Sequence, residues 1–352
     1  MSPAPLTPRQ RLARTAAIGA LLAAAAAGLL YLADRLGPAR QARQFIDSIE
    51  ASGARHAGYR RAHSHGVCIT GRFEPDARLA ALSRAPMFTQ ARIPVQGRLS
   101  IGGGNPQAAE ASARVRSLAL QLDGEDGQQW RLAMNSFPFF AVPSAEAFLE
   151  QTRAQTPDPV TGKPDAAALA ALQARYPSAR AFAQWASTAA WSDSWATTAY
   201  NGIHTFFLIA ADGRRTPVRW SFVPLASAQA MDAQQLEQAA SDYLSDELAG
   251  RLASGPVGWT LRLQLAGPDD VLDDPSTAWP ASRPTVDAGT LWIEHMQAQQ
   301  GGACAPVNFD PTVVPDGIAL SDDPILALRS AVYAQSWNRR LHEQRQATEA
   351  TR

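Results

Sequence analysis

The sequence predicts an α+β domain, an antiparallel sheet or barrel with helices packed outside it, preceded by one N-terminal transmembrane helix. Three observations predict this. Short segments of alternating apolar and polar residues recur along the chain. A charge-free apolar run follows a cluster of arginines near the start. An amphipathic helical pattern closes the chain, so strands, a helical insert, more strands and a final helix follow in order.

Arg9, Arg11 and Arg14 precede the run from Thr15 to Ala33. About nineteen residues without charge approach the ~20 that span a bilayer. Basic residues on the N-terminal side orient such a helix with that end in the cytoplasm. The expected organisation is a basic cytoplasmic segment (1–14), a transmembrane signal anchor (15–35), a juxtamembrane helix and linker (36–55), the main domain (56–345) and a tail (346–352). The protein is then a single-pass membrane protein with its main domain outside the cytoplasm, periplasmic in a Gram-negative cell. A cleaved signal peptide is the rival, but its apolar core is usually about 7–15 residues.

Strands are expected at 66–73, 93–101, 116–122, 130–134, 202–210, 216–224, 258–265 and 291–296. Leu118, Leu120 and Leu122 alternate before an Asp-Gly-Glu-Asp-Gly turn at 123–127, which marks a hairpin. Helices are expected at 39–54, 145–153, 165–185 and 324–346. The last opens on Asp322-Asp323-Pro324, an acidic cap followed by proline at the first helical position.

Apolar residues make up 46% and charged residues 18%, ordinary for a globular protein with room for a buried cofactor. Formal net charge is zero, which argues against a nucleic-acid partner that would require basic excess. The two cysteines, Cys68 and Cys304, exclude a disulfide scaffold or a Cys-rich metal protein. The sequence leaves their pairing open. An oxidising compartment would favour it, whereas His63 and His65, which share one face if that segment is a strand, could also ligate a metal with Cys68.

Two separated motifs carry the chemistry. The first is Arg60-Arg61-Ala62-His63-Ser64-His65-Gly66, followed by Arg98-Leu99-Ser100 and by Asn135 three residues before Pro138. Histidine can take and return a proton near neutral pH. An amide can hold a small polar substrate without adding charge. The second is Arg329-Ser330-Ala331-Val332-Tyr333, with the arginine and tyrosine one helical turn apart on one face. A phenol of pKa about 10 ligates as phenolate, which ferric iron and a neighbouring guanidinium favour.

Together, in this order, these motifs resemble the two faces of the haem site in catalases. The likeness extends through Phe309-Asp310-Pro311, Pro315, Gly317-Ile318 and Ser321, and through Tyr200-Asn201-Gly202-Ile203-His204-Thr205-Phe206. It covers roughly Gln44 to Leu341 and is strongest to the minimal catalase-related peroxidases. It implies a catalase-type β-barrel, haem b, and peroxide as substrate with an unknown external electron donor. By the resemblance, His63 is the distal acid–base group and Asn135 its partner. Ser100 hydrogen-bonds the other His63 nitrogen. Tyr333 is the iron ligand, with Arg329 beside it. Arg60, Arg98 and Arg340 pair with haem propionates, and His204 is structural. Ala62 stands where catalases usually carry valine, which implies a wider pocket open to organic hydroperoxides and favours peroxidase over catalase activity. The chain ends soon after the Tyr333 helix, so a C-terminal helical region and bound NADPH are not expected. The alternatives are a haem enzyme that rearranges lipid hydroperoxides and a non-enzymatic, membrane-tethered haem-binding protein. Self-association is left open.

Overall fold

The computed structural model describes residues 7–36, 38–53, 55–158 and 160–350. The first six residues of the expected N-terminal segment and the last two of the tail lie outside it. Helix α1 (Pro8–Leu36) is followed at once by α2 (Pro38–Ser52). The stretch Pro8–Leu29 of α1 is long and apolar enough to cross a membrane, and its described side chains are exposed; a signal sequence presents the same feature.

The sheet strands are β1 (Gly66–Pro75), β2 (Ile93–Ile101), β3 (Arg116–Asp123), β4 (Gln129–Asn135), β6 (Tyr200–Ile209), β7 (Arg215–Pro224), β9 (Val257–Leu265), β10 (Thr285–Ala298) and β11 (Ile318–Leu320). A two-residue pair, β5 (Trp191–Ser192) with β8 (Ala230–Met231), stands apart. The strands follow one another in the order β6-β4-β3-β2-β1-β10-β9-β7, and β7 pairs back onto β6. The result is a closed, eight-stranded antiparallel barrel, with the short β11 pairing with Phe206–Leu208 of β6 beyond the point where β4 meets that strand at Asn201. Closure leaves no free barrel edge.

Side chains alternate across each strand. On β2 to β4 the inner set is Val95, Leu99, Ile101, Leu118, Leu120, Leu122, Trp130, Leu132 and Met134, all buried. Inside the barrel Trp130 meets Trp220 edge to face at 5.2 Å and Phe73 at 6.5 Å. Each fully buried side chain of this kind contributes about 1.5–3 kcal/mol. The outer set on the same strands is Arg98, Ser100, Ser117, Ala119, Ala133 and Asn135, and it faces helices.

The helices are α3 (Ala77–Leu82), α4 (Ala145–Ala154), α5 (Ala166–Arg175), α6 (Pro177–Thr188), α7 (Ala233–Glu237), α8 (Tyr243–Ser254) and α9 (Pro324–Ala350). The single helix expected over 165–185 is two helices. Pro177 has no N–H to give and disfavours helical backbone at Tyr176, so α5 ends there. Helix α2 lies where a juxtamembrane helix and linker were expected, and it packs on the body. Its Ala42, Phe45 and Ile46 are buried, and it packs on α9 and α4. The Phe45 ring lies 4.9 Å from that of Phe148 on α4.

Candidate active site

Two walls enclose a cavity of about 830 Å³, its open mouth included. One wall is the outer face of β2 to β4 with the segment that enters β1. The other is α9, with Ile46 and Ile49 of α2 and Val307 to Phe309 at the rim. Strand register builds the first wall in rows. Arg98, Ala119 and Ala133 lie level, as do Ser100, Ser117 and Asn135.

His63 does not lie on a strand. It precedes β1 and takes φ 55°, the left-handed region that a non-glycine residue occupies at a cost. Its neighbours hold it there. Ser64 N–H donates to Gly103 O at 2.9 Å. The Ser64 carbonyl accepts from Gln299 Nε2 at 2.8 Å and from Arg98 Nη2 at 3.2 Å. Gly66 then allows β1 to approach β2, since a Cβ there would sit 2.1 Å from the Leu99 carbonyl. The bend sends His63 and His65 different ways. His63 lines the cavity, whereas His65 Nδ1 meets Pro106 O at 2.8 Å and its Nε2 lies 3.4 Å from both Glu110 and Asp242. Cys68 is joined to Cys304 in a disulfide. The alternative metal set of His63, His65 and Cys68 is therefore not assembled.

The hydroxyl at His63 Nδ1 is that of Ser117, at 2.9 Å. This corrects the expectation that Ser100 fills that place. Ser100 lines the same cavity one strand away, as the register partner of Ser117. Ser117 also donates to Asn135 Oδ1, so His63, Ser117 and Asn135 form one hydrogen-bonded chain. Ser117 was missed in the sequence; the signal that could have found it is its place on β3, on the face opposite Leu118, Leu120 and Leu122. Only the turn of His63 decides which of two adjacent hydroxyls it meets. Burial and the charges of Arg98 and Arg329 push the His63 imidazole down to about 4, against a hydrogen bond to the Ile101 backbone that favours the charged ring. It is neutral at pH 7.

On α9, Arg329 Nη2 donates to the Tyr333 hydroxyl at 2.8 Å and to Ala133 O at 3.1 Å. The helix start is fixed by Asp323, whose Oδ1 accepts from the N–H groups of Ile325 and Leu326 at 2.8 and 3.2 Å. His204 Nδ1 lies 2.5 Å from the other Asp323 oxygen, with both side chains buried. His204 thus serves the seating of α9 and does not line the cavity.

Arg60, Arg98 and Arg340 all line the cavity. Arg60 Nη2 donates to the carbonyls of Cys304 and Val307 at 3.0 Å each. Arg98 Nη2 donates to Gln299 Oε1 at 2.7 Å, and Arg340 Nη2 to Ala305 O at 3.2 Å. Among the described residues none of the three is within ion-pair distance of a carboxylate. Burial and the neighbouring guanidinium groups push Arg60 well below its usual range, with Tyr333 acting the other way. Burial and Arg340 push Arg98 down to about 9, and burial and Arg61 push Arg340 down to about 10. Arg98 and Arg340 are buried and Arg60 half-buried, and cations so placed without a counter-ion among the described residues are costly alone. The donor set fits a ligand that carries carboxylates of its own, and the alanine pair Ala119 and Ala133 leaves the adjoining wall smooth.

A sequence profile of the family described as Catalase matches residues 33–348. The chain belongs to the catalase family. The eight-stranded barrel and its helices fit the fold of that family. Among curated relatives, the catalase-related peroxidase of Synechococcus elongatus is 36% identical over 297 residues, covering 84% of this chain and 88% of that protein. The catalase-related peroxidase of Mycolicibacterium paratuberculosis is 34% identical, covering 83% of this chain and 92% of that protein. Catalase C of Rhizobium meliloti is 26% identical and is covered over 42% of its length. This catalase-family chain thus matches the short relatives almost end to end and the longer ones over part of their length.

Proposed function

We propose that this chain is a haem-dependent peroxidase that reduces hydrogen peroxide or organic hydroperoxides with electrons from an external donor. Its membership of the catalase family and its similarity to two catalase-related peroxidases support an enzyme acting on peroxide. The observation that carries the finer reading is the cavity itself. It joins the His63–Ser117–Asn135 chain on one wall, the Arg329–Tyr333 pair on the other, and three arginines, two of them buried, without a carboxylate partner among the described residues.

The residues present fit haem b. Tyr333 would be the iron ligand, and Arg60, Arg98 and Arg340 would hold the two propionates by charge-assisted hydrogen bonds. When bound, the haem supplies the redox chemistry of peroxide cleavage. The chain's own residues do the rest. Neutral His63 accepts a proton from peroxide and returns it to the departing oxygen. Asn135 donates a hydrogen bond that steadies that oxygen. Arg329 holds the Tyr333 oxygen in place. Ala62 in the wall leaves room for a substituent on the peroxide.

The location is part of the proposal. Helix α1 anchors the chain with its N-terminus in the cytoplasm and the catalytic body outside. The apolar stretch of α1 and the Cys68–Cys304 disulfide support this reading. A second reading, rearrangement of lipid hydroperoxides, is favoured by Ile46 and Ile49 of α2, which bring an apolar wall to the cavity directly after the anchor helix.

Absorption spectra of the purified chain test the proposal, wild type against Tyr333→Phe, with hydrogen peroxide and cumene hydroperoxide. A ferric tyrosinate-type spectrum lost in the variant, with peroxide-driven oxidation of a chromogenic donor by the wild type, is expected. Rearranged lipid product without donor consumption would favour the second reading. Failure to bind haem would overturn both.

A further inference from the structure

We propose that His65, Glu110 and Asp242 form a binding site for a divalent transition-metal ion of the zinc class, separate from the cavity and independent of the peroxidase reading.

His65 stands immediately before β1, two residues after His63, yet it does not line the cavity, and neither do Glu110 and Asp242. The three come from distant parts of the chain. Glu110 opens the short 3-10 turn Glu110–Ser112, and Asp242 stands just ahead of α8. One ligand atom from each lies within 4.8 Å of the other two. An ion held there ties the segment that presents His63 to this turn and to α8.

The orientation of the His65 ring is fixed. Nδ1 lies 2.8 Å from the Pro106 carbonyl, which can only accept, so Nδ1 carries the hydrogen. In a neutral imidazole Nε2 is then a bare lone pair. It faces one oxygen of Glu110 and one of Asp242, each at 3.4 Å. Three electron-rich atoms so arranged repel one another unless a cation stands among them. A proton on Nε2 is the rival, and Glu110 and Asp242 do raise His65 above its ordinary 6.5. Spacing favours the metal. A charge-assisted N–H···O bond is about 2.7–2.9 Å long, and neither contact closes to that. Ligand atoms about 2.0–2.2 Å from a tetrahedral ion stand about 3.3–3.6 Å apart, as these do.

The ligands are also held from outside. The Glu110 oxygen that faces His65 accepts from the Ser245 hydroxyl at 2.7 Å. Its other oxygen accepts from the N–H groups of Leu244 and Ser245 at 2.6 and 3.1 Å. Burial opposes the ionisation of Glu110, but these bonds keep it below its ordinary 4.5, so it is a carboxylate at neutral pH. Asp242 occupies the N-cap position of α8, yet its side chain caps nothing there. Outer partners such as the Pro106 carbonyl and the Ser245 hydroxyl are what metal-binding histidines and carboxylates characteristically have. An imidazole in the set selects a zinc-class ion over magnesium or calcium, which take oxygen ligands. The Glu110 side chain is fully buried, whereas that of Asp242 is 58% exposed. The site therefore opens to solvent on the Asp242 side, where water completes the coordination.

The test uses the full-length chain as purified, freed of loosely held metal by a chelator. Calorimetric titration with Zn²⁺ is expected to show one tight site, and Co²⁺ in its place should give the intense visible bands of a four-coordinate ion. His65→Ala and Asp242→Ala should each weaken Zn²⁺ binding about a hundredfold or more and abolish the cobalt bands. His295→Ala and His342→Ala, at exposed histidines, should change neither. Anomalous diffraction from wild-type crystals at the zinc edge should place the ion about 2.0–2.2 Å from His65 Nε2. A wild type that binds no Zn²⁺, binding unchanged in His65→Ala, or an anomalous peak only elsewhere would each overturn the proposal. The first and last of these decide it even if no variant folds. None of the readouts needs haem or peroxide turnover, so failure of the peroxidase reading and failure of the metal site are separate results.

Discussion

Arg61 Nη2 lies 2.6 Å from the Glu343 carboxylate, and both side chains are only 3% exposed. The pair joins the segment that presents His63 to the helix that presents Tyr333. Arg61 also reaches Glu50 on α2 at 2.5 Å, and Glu343 accepts from Arg55 and from the Gly58 N–H at 2.9 Å. The two walls of the cavity are thus clamped at one end by a single buried carboxylate. Removing one partner of such a pair leaves a buried charge unpaired and costs about 3–5 kcal/mol. Glu343→Ala should destabilise the chain by that order in urea unfolding, whereas an Arg61→Met, Glu343→Leu double variant should recover most of it. Equal losses in the single and double variants would show that the charges do not act as a pair.

The same carboxylate sets an acid limit. Burial opposes its ionisation, but hydrogen bonds from Arg61, Gly58 and Arg55 hold Glu343 below its ordinary 4.5. A carboxyl lowered in the folded state stabilises it fully above the ordinary value and loses that contribution as pH falls through the folded one. Stability should therefore decline below about pH 4.5. Glu343→Gln should be less stable at neutral pH, and its acid decline should be shallower. An unchanged acid profile in Glu343→Gln would exclude this carboxyl as the source.

His63 should leave its own mark on activity. Burial and Arg98 lower its imidazole to about 4, so its base form persists well below neutral pH. Donor oxidation should hold from pH 7 to about 5 and fall as pH drops through about 4. The lowered value also means that the unfolded chain binds the proton first, so its stability contribution is complete above the ordinary 6.5 and declines below it. Circular dichroism at each pH separates loss of activity from loss of fold. A midpoint near 6.5 would show a solvated imidazole.

The uncompensated arginines give a paired prediction. Arg60→Met removes a half-buried cation repelled by Arg98 and Arg340. Urea unfolding of the haem-free chain should occur at higher denaturant, while haem affinity should fall about tenfold or more, the loss of a charge-assisted bond. A variant that destabilises the free chain without weakening haem binding would make Arg60 a structural residue tied to the Cys304 and Val307 carbonyls.

Much of this was legible in the sequence because period-two alternation survives in β1 to β4, where one face meets the barrel core and the other meets helices. Arg98, Ser100 and Asn135 were singled out by the family resemblance, and Asp323-Pro324 announced the start of α9. What stayed hidden was of two kinds. Local breaks were masked by composition, since the alanine-rich run over 166–188 looks continuous until Pro177 is weighed. Long-range choices had no local signal. Arg61 and Glu343 are 282 residues apart, and α2 docks onto α9 through its apolar face and through Asp47 and Glu50, which Arg339 meets at 2.6 and 2.9 Å. The preference of His63 for Ser117 over Ser100 depends on one left-handed residue, which neither strand periodicity nor motif spacing reports.

The seating of α9 yields the last prediction. Asp323 uses one oxygen to cap the helix and the other to hold His204 Nδ1 at 2.5 Å. Burial keeps His204 below its ordinary 6.5, although the hydrogen bond and charge of Asp323 favour protonation. Asp323→Ala removes the cap, worth about 1 kcal/mol, and leaves a buried ring nitrogen unsatisfied, worth about 1–3 kcal/mol. Asp323→Asn keeps an oxygen for the cap but weakens the hold on His204. Stability should therefore fall in the order wild type, Asp323→Asn, Asp323→Ala. Tyr333 rides on the same helix, so the haem spectrum of Asp323→Ala should shift toward that of Tyr333→Phe, with Asp323→Asn between them. A stability loss with an unshifted spectrum would mean that the Arg329 contact with the Ala133 carbonyl holds Tyr333 in place without help from the helix start.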